Sequence, residues 1–195
     1  KWLPVQQLQQ GSGRRGRGAG ARWAARGSTR LARERTGEGR MKIQIKLDQV
    51  RDQNVKQMKE LNAAIFPVKY QDKFYRDCTA CGDVTQLAYY NDILIGAIAC
   101  RLEKKENGKA KLYIMTLGVL APYRDLGVGT YLLQHSLRVA SEDPNIEEAY
   151  LHVQTNNDGA IRFYDKHGFA ITEMIPNYYK RIDPPDCYIL HKSLR

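Results

Sequence analysis

The sequence lacks a long apolar run and has little cysteine, and its aromatic residues are mostly tyrosine. No stretch approaches the roughly 18 apolar residues of a transmembrane helix, and none has the short apolar core of a signal peptide. We therefore expect no membrane association and a cytoplasmic location, with the nucleus as a further compartment.

Only four cysteines occur in 195 residues. Cys78 and Cys81 form a C-x-x-C pair, which can indicate zinc or redox chemistry. A zinc site needs two further ligands at suitable spacing, and none is evident near Cys100 or Cys187. We therefore expect reduced thiols, partly in the core, and no metal.

Two common nucleotide-binding fingerprints are also missing. No G-x-G-x-x-G follows a predicted strand and no G-K-[S/T] is present, which argues against Rossmann and Walker phosphate sites. The chain has no internal repeats, and its length is enough for one domain with a proper core.

The excess of basic residues is confined to one end. Residues 1–40 carry ten Lys or Arg and two acidic residues, which leaves 21 basic and 19 acidic residues in 41–195. The globular part is therefore nearly neutral and gives no reason to expect nucleic acid binding, except through the tail.

The Arg/Gly-rich tail over 1–40 has almost no apolar periodicity and is predicted to be disordered. Three explanations are open: an arm for RNA or ribosomes, an organelle transit peptide, and sequence upstream of the true start. The first Met is Met41, directly before a strand-like segment, and this favours the third explanation. Peptides from residues 1–40 in cells would exclude it.

Periodicity and turn residues predict eleven elements from Met41 onward. They are a strand over 41–47, helices over 54–65 and 71–79, strands over 86–90, 93–102 and 109–120, a helix over 126–141, a strand over 149–153, a helix over 157–167, and strands over 169–175 and 187–191. The order β-α-α-β-β-β-α-β-α-β-β predicts an α/β fold with a mixed central sheet and flanking helices.

Residues suited to phosphate binding gather where the strand over 109–120 runs into a helix. Arg124, Gly127 and Gly129 form R-x-x-G-x-G there, and glycine lets the backbone turn tightly and approach a ligand. The N–H groups of a first helical turn have no partner within the helix and carry partial positive charge. A pyrophosphate suits such a site; the alternative is a tight turn that binds nothing.

A second motif, N-x-x-A-x-x-x-Y-x-x-x-G-F, runs from Asn157 to Phe169. The two motifs together resemble motifs A and B of the GNAT acetyltransferases, and the order of the elements agrees with that fold. Segments such as I-F-P-V-K-Y at 65–70, L-Y-I-M-T-L-G-V-L-A-P-Y-R at 112–124 and N-Y-Y-K-R-I at 177–182 resemble the N-terminal acetyltransferases of the NatE type. The resemblance defines a GNAT domain over 41–195 and leaves 1–40 unmatched.

The resemblance implies acetyl-CoA as co-substrate, with its pyrophosphate at the glycine loop. Tyr164 is implied to lie near the cofactor sulfur, where a phenol would hydrogen bond the leaving thiolate; simple packing is the alternative. Asn157 is implied to meet the pantetheine arm or to cap its helix. The implied cofactor residues are Leu117, Gly118, Val119, Arg124, Asp125, Leu126, Gly127, Val128, Gly129, Thr130, Asn157 and Tyr164.

Acyl transfer from a thioester needs a neutral amine and support for the oxyanion. By the period of two, Tyr113, Met115 and Leu117 share one face of their strand, and Tyr150 and His152 share one face of theirs. Tyr113 and His152 would bracket the amine if the two strands are neighbours. The resemblance makes them the catalytic pair, relaying the proton through a water; the alternatives are a packed aromatic and a hydrogen-bonded sheet histidine.

The resemblance also implies a site for a peptide N-terminus. Its apolar pocket would take an initiator Met followed by a hydrophobic residue, and tyrosine hydroxyls would bind the peptide backbone. The implied pocket residues are Phe66, Pro67, Val68 and Met115, and the implied tyrosines are Tyr70, Tyr178 and Tyr179.

Three functions are therefore open. The leading one is acetylation of Met-initiated protein N-termini by a sequential general-base mechanism, beside the ribosome and the auxiliary subunit of the NatA complex, as the resemblance implies. The second is acetylation of lysine or small-molecule amines. The third is an RNA- or ribosome-binding protein with a degenerate acyl-CoA domain.

Overall fold

The computed structural model describes residues 43–180 and 182–195. The tail over 1–40, with its predicted disorder and the RNA-binding alternative that depends on it, lies outside the described residues, as do Met41 and Lys42. The described elements are β1 Lys46–Gln49, α1 Val55–Ile65, α2 Asp72–Ala80, β2 Gln86–Tyr90, β3 Ile93–Lys104, β4 Ala110–Val119, α3 Val128–Glu142, β5 Ile146–Gln154, α4 Asp158–Asp165, β6 Ala170–Ile175 and β7 Cys187–Ser193.

The seven strands form one sheet in the order β1-β2-β3-β4-β5-β7-β6. β4 and β5 are parallel and are joined through α3, while the other described pairs are antiparallel. The predicted α/β class and mixed sheet are confirmed.

Helices cover both faces of the sheet. Buried side chains of α3 and α4, such as Leu132 and Tyr164, pack in one core cluster. Side chains of α1 and α2, such as Met58 and Phe74, pack in the other. Each helix places an apolar stripe on the sheet, as its periodicity predicts.

A bulge in β4 reverses the alternation of its side chains. Ala99 of β3 pairs with Thr116 and Cys100 pairs with Ile114, so Met115 is an extra residue on β4. An extra residue moves every later side chain to the opposite face. Tyr113 and Met115 pack on the α1 side, whereas Leu117 packs on the α3 side. The prediction that Leu117 shares their face is therefore wrong.

β4 and β5 part halfway along their length. Their pairing runs from Ala110 to Tyr113, which lies beside Tyr150. β4 nevertheless continues to Val119 and β5 to Gln154. Beyond Tyr113 the facing edges of the two strands diverge, which opens a gap at the centre of the sheet.

Several predicted boundaries need correction; the strand predicted over 149–153, for example, extends over Ile146–Gln154. The strand over 41–47 is described only from Lys46, which pairs with Tyr89. β2 ends one residue later at a turn, so the described residues 43–45 have no strand beside them. The helix predicted from Leu126 begins at Val128. Asp125 and Gly127 before it have left-handed φ angles of 62° and 85°, which a right-handed helix does not allow.

Candidate active site

The mouth of α3 presents backbone donors to one end of the sheet gap. Gly127 is the N-cap residue and carries no side-chain cap. The Tyr131 N–H donates to the Gly127 carbonyl at 2.9 Å. The amides of 128–130 precede that bond, so they have no acceptor within the helix and point outward with the positive end of its dipole.

A cavity of about 420 Å³ lies at this helix mouth, between α3 and α4. Gly127, Gly129 and Thr130 line one side of it, and Arg124 lies at its edge. A methyl group on Gly129 would stand 3.7 Å from the Phe163 ring across the cavity. Free amides, a basic side chain and a glycine wall fit the pyrophosphate of an acyl-CoA.

The far wall of this cavity contains residues that the sequence analysis missed. Arg162, Phe163 and Lys166, from α4 and the residue after it, line the cavity opposite the glycine loop. Arg162 and Lys166 are four residues apart and therefore share one helical face. That spacing, at unspecified positions inside the motif from Asn157 to Phe169, is the available signal for a second anion-binding wall.

The predicted cofactor residues reach the gap in different ways. The side chain of Leu117 is fully buried, so this residue offers only backbone to a ligand. The half-buried side chain of Leu126 packs against the core. Arg124 Nε donates to the Val119 carbonyl at 3.2 Å. Asn157 Oδ1 accepts from the Ala160 N–H at 3.2 Å, which is the capping geometry.

Tyr164 is a fully buried phenol between aromatic rings. Phe163 and Phe169 meet it edge to face at centroid distances of 5.1 and 5.4 Å. Its hydroxyl has no hydrogen-bond partner among the described residues, and burial raises its pKa well above the ordinary value. The packing of Tyr164 is therefore observed, and its predicted hydrogen bond to a departing thiolate stays a prediction that an unpartnered buried donor allows.

Tyr113 and His152 meet where β4 and β5 part. The Tyr113 hydroxyl lies 3.3 Å from His152 Nδ1, and the ring centroids are 5.6 Å apart. The parallel pairing places these two predicted catalytic residues in contact at the inner end of the gap.

Burial controls the protonation of this pair. It lowers the pKa of the His152 imidazole to about 4, although the Glu103 carboxylate acts in the opposite direction. Burial, with the neighbouring Tyr178 and Tyr150, raises the pKa of the Tyr113 phenol well above its ordinary value. At neutral pH both groups are therefore uncharged, and a neutral imidazole can accept a proton.

The loop before β7 covers His152. The Tyr178 ring stacks on the imidazole at 4.7 Å between centroids and 6° between planes, and it meets Tyr179 edge to face. Tyr179 is buried, and its hydroxyl has no partner among the described residues. The stacked Tyr178 ring therefore narrows the approach to His152.

A cleft lies between the loop before β7 and the segment after α1, which forms its other side. Phe66 is buried, Pro67 is exposed and Val68 is half-buried. Phe66 meets Tyr70 edge to face at 6.1 Å, and the Tyr70 hydroxyl is buried with no described partner. Met115 packs with the α1 and α2 side chains on the same face of the sheet.

The remaining histidines and cysteines form no second site. His167 Nδ1 donates to the Phe163 carbonyl at 2.7 Å, and burial lowers the pKa of His135. The four thiols are free. Within the described ranges no group of three His, Cys, Asp or Glu side chains is arranged to hold a metal. No described helix has the length and apolarity to cross a bilayer.

Comparison with known proteins agrees with this geometry. The model of the acetyltransferase (GNAT) family matches residues 55–169. N-alpha-acetyltransferase 50 of Danio rerio is 53% identical over 155 residues, which cover 80% of this chain and 92% of that protein. The probable N-acetyltransferase san of Drosophila melanogaster is 51% identical over 151 residues, covering 77% of this chain and 82% of its own.

A solved structure gives the same result. Arabidopsis thaliana Naa50 in complex with the bisubstrate analogue CoA-Ac-MVNAL is 59% identical, with a TM-score of 0.72, and the match covers 76% of this chain and 98% of that one. The chain belongs to the acetyltransferase (GNAT) family. Its close resemblance to N-alpha-acetyltransferase 50 makes it an acetyl-CoA-dependent N-terminal acetyltransferase.

Proposed function

We propose that this enzyme acetylates the α-amine of proteins that begin with Met followed by a hydrophobic residue. The contact between the Tyr113 hydroxyl and His152 Nδ1, at the inner end of the sheet gap, carries the proposal. It lies on the α1 side of the sheet, beside the aromatic cleft, while the basic cavity lies at the outer end of the same gap.

The proton of the amine is the central chemical problem. A peptide α-amine has a pKa near 8, whereas that of His152 is about 4, so complete transfer to the imidazole costs about 5 kcal/mol. Tyr113 cannot take the proton alone, because its burial disfavours a tyrosinate. Tyr113 instead passes its own proton to Nδ1 as its oxygen receives one from the amine or from an intervening water.

The other groups act on the acyl donor. The amide of Val119, at the end of β4, would support the oxyanion, and the amides at the mouth of α3 would hold the pyrophosphate. Tyr164 would donate its hydroxyl to the thiolate that leaves as the new amide bond forms. No enzyme nucleophile is required, so transfer is direct within one ternary complex.

The selectivity follows from the two sides of the cleft. Phe66, Pro67 and Val68 form a rigid apolar turn, which with Met115 suits the thioether side chain of an initiator Met. Tyr70 and Tyr179 offer buried hydroxyls to the peptide backbone, and such contacts do not depend on sequence. The analogue bound by Arabidopsis thaliana Naa50 carries the peptide MVNAL, which begins with Met and Val.

A peptide panel tests this proposal with the full chain. CoA release is measured with a Met-Leu peptide, a Ser-initiated peptide, and a Lys-containing peptide whose N-terminus is blocked. We expect the Met-Leu peptide to react fastest and the blocked peptide hardly at all. Equal rates on the Met-Leu and blocked peptides would contradict the proposal and favour a lysine acetyltransferase.

We further propose that the enzyme works in the cytoplasm, with the nucleus as a second compartment, beside the ribosome and on the auxiliary subunit of the NatA complex. The support is its likeness to N-alpha-acetyltransferase 50. Affinity capture from ribosome-bound and soluble cell fractions tests this; absence from every ribosomal fraction would contradict it.

A further inference from the structure

Glu103 of β3 joins three polar side chains beside the catalytic pair. The Tyr150 hydroxyl donates to Glu103 Oε2 at 2.5 Å, the Arg101 guanidinium donates to Oε1, and Lys111 Nζ lies 3.9 Å from Oε2. The Glu103 side chain is 23% exposed. Burial raises the pKa of Glu103, but the bonds from Tyr150 and Arg101 outweigh it and leave the pKa below its ordinary value. The carboxylate is therefore charged and held in place.

Two of these side chains pack directly on Tyr113. The Tyr150 ring stacks on the Tyr113 ring at 4.8 Å between centroids, and the Arg101 guanidinium lies 5.3 Å from the centre of the same ring. The strand register brings them side by side, because Arg101 pairs with Tyr113 and Tyr113 pairs with Tyr150. One carboxylate thus holds two side chains that pack against the Tyr113 ring.

We propose that Glu103 is a positioning residue for the proton relay, which fixes Tyr150 and Arg101 against Tyr113 and so sets the Tyr113 hydroxyl toward His152. The inference rests on the proposed function, because it assigns the relay to Tyr113 and His152. A relay depends on the angle and length of each hydrogen bond, so a ring free to tilt would transfer the proton more slowly.

The negative charge of Glu103 favours the proton relay, as its position does. His152 is faced by Glu103 from β3, Lys111 and Tyr113 from β4, Tyr150 from its own strand and Tyr178 from the loop before β7. Among the charged groups, the Glu103 carboxylate favours a proton on the imidazole and the Lys111 ammonium opposes it. Substitution by Gln separates the two effects, because Gln keeps an acceptor for Tyr150 and loses the charge.

The test compares full-chain variants in steady-state assays with the Met-Leu peptide. We expect Glu103→Ala and Tyr150→Phe each to lower kcat by roughly 10- to 100-fold with the KM for acetyl-CoA unchanged. The double variant should be no slower than Glu103→Ala, because both changes break the same hydrogen bond, the one from the Tyr150 hydroxyl to Glu103. Glu103→Gln should lose less than Glu103→Ala.

Glu147→Gln is the matched control. It removes a carboxylate from β5 that pairs with Lys105 at 2.9 Å and touches neither Tyr113 nor His152, so kcat should stay at the wild-type value. ¹⁵N NMR of the four histidines adds a readout independent of turnover. The His152 signal should change with the Tyr113 hydrogen bond in Glu103→Ala and Tyr150→Phe, but not in Glu147→Gln.

The outcomes separate this inference from the proposed function. Wild-type kcat in Tyr150→Phe and Glu103→Gln, or independent additive losses in the double variant, would overturn the role of Glu103 even if Glu103→Ala fails to fold. If those variants are fully active while Tyr113→Phe and His152→Ala are slow, the relay stands and this inference fails. If Tyr113→Phe and His152→Ala are themselves fully active, the proposed relay fails and takes this inference with it.

Discussion

The two ends of the active site differ in the chemical groups that form them. The cofactor end consists of backbone amides, glycines and basic side chains around a cavity of about 420 Å³. The proposed catalytic and peptide end consists of packed aromatic side chains, in which the Tyr70 and Tyr179 hydroxyls are buried without a described partner. The first is shaped by main-chain geometry, and the second by side-chain packing.

This difference indicates that binding of the co-substrate and choice among peptides belong to different parts of the site. Amides at a helix mouth bind an anion without moving, so the cofactor end is preorganised. Buried phenols without partners raise the free energy of the ligand-free state, and under the proposed function a bound peptide would supply their hydrogen bonds. Binding of the common co-substrate and choice among peptides should therefore respond to different substitutions.

The sharpest test of this separation is removal of the proposed catalytic groups. Tyr113→Phe and His152→Ala should each lower turnover by about 10²-fold or more, because each interrupts the proton relay. Acetyl-CoA binding, measured by calorimetry, should stay unchanged, since neither side chain lines the basic cavity. Undiminished turnover in both variants, or a joint loss of acetyl-CoA binding, would contradict the comparison.

Two glycines sharpen the comparison from the backbone side. A Cβ at Gly129 meets nothing closer than 3.7 Å, so Gly129→Ala should fold normally and gain up to about 1 kcal/mol of helix stability. It should weaken acetyl-CoA binding by about tenfold, because the methyl group stands where a ligand approaches.

Gly118→Ala is the counterpart at the peptide end, because a side chain at this implied cofactor residue would face Phe66 and not the basic cavity. Its Cβ would lie 2.8 Å from Phe66 Cζ, which should cost about 1–3 kcal/mol in unfolding free energy and displace the Phe66 ring. The KM for peptide should therefore rise more than the KM for acetyl-CoA. An opposite order of the two KM changes would place Phe66 outside the peptide site.

Acid should destabilise the aromatic end. The pKa of His152 is about 4 in the folded chain and about 6.5 when unfolded. The unfolded chain therefore binds this proton first, and the free energy of unfolding falls as the pH drops from about 6.5 toward 4. Because solvent screens this half-buried ring, we expect the free energy of unfolding to fall by about 1–2 kcal/mol over this range.

Denaturant titrations of wild type and His152→Gln at several pH values measure this difference. Burial lowers the pKa of His135 too, and that contribution persists in both proteins. Parallel stability curves for the two proteins would show that burial of His152 is not the cause.

The smallest expected effect is that of a substitution at Tyr164. Tyr164→Phe removes a buried hydroxyl that has no described partner, so the free energy of unfolding should rise by about 1 kcal/mol. Turnover should fall roughly fivefold, if the lost hydroxyl donates to the leaving thiolate. A variant that is both less stable and fully active would leave Tyr164 with a packing role alone.

Most of the fold could be predicted from local patterns. The strand at Gln86–Tyr90 has the predicted bounds, and its neighbour Ile93–Lys104 starts as predicted because Asn91 and Asp92 both take left-handed φ angles at the turn. The start of β1 could not be predicted, because it depends on where the partner strand ends. The face of Leu117 could not be predicted either, because a bulge leaves no mark in the period of two.

The candidate site divides in the same way. The glycine loop and the meeting of Tyr113 with His152 follow from motifs and strand order. Glu103 and Phe163 carry no motif, and they reach the site only through strand register and helix packing. Roles that depend on sheet neighbours distant in sequence require the folded chain.

The parting of β4 and β5 beyond Tyr113 has a consequence for how this protein tolerates change. The diverging edges present the main-chain groups of two strands, which are chemically alike whatever side chains those strands carry. An elongated molecule lying between them can form hydrogen bonds to these groups, as a third strand would. Binding through the main chain then depends little on the side chains of the two strands. These side chains can therefore vary to suit the core while binding of acetyl-CoA is retained.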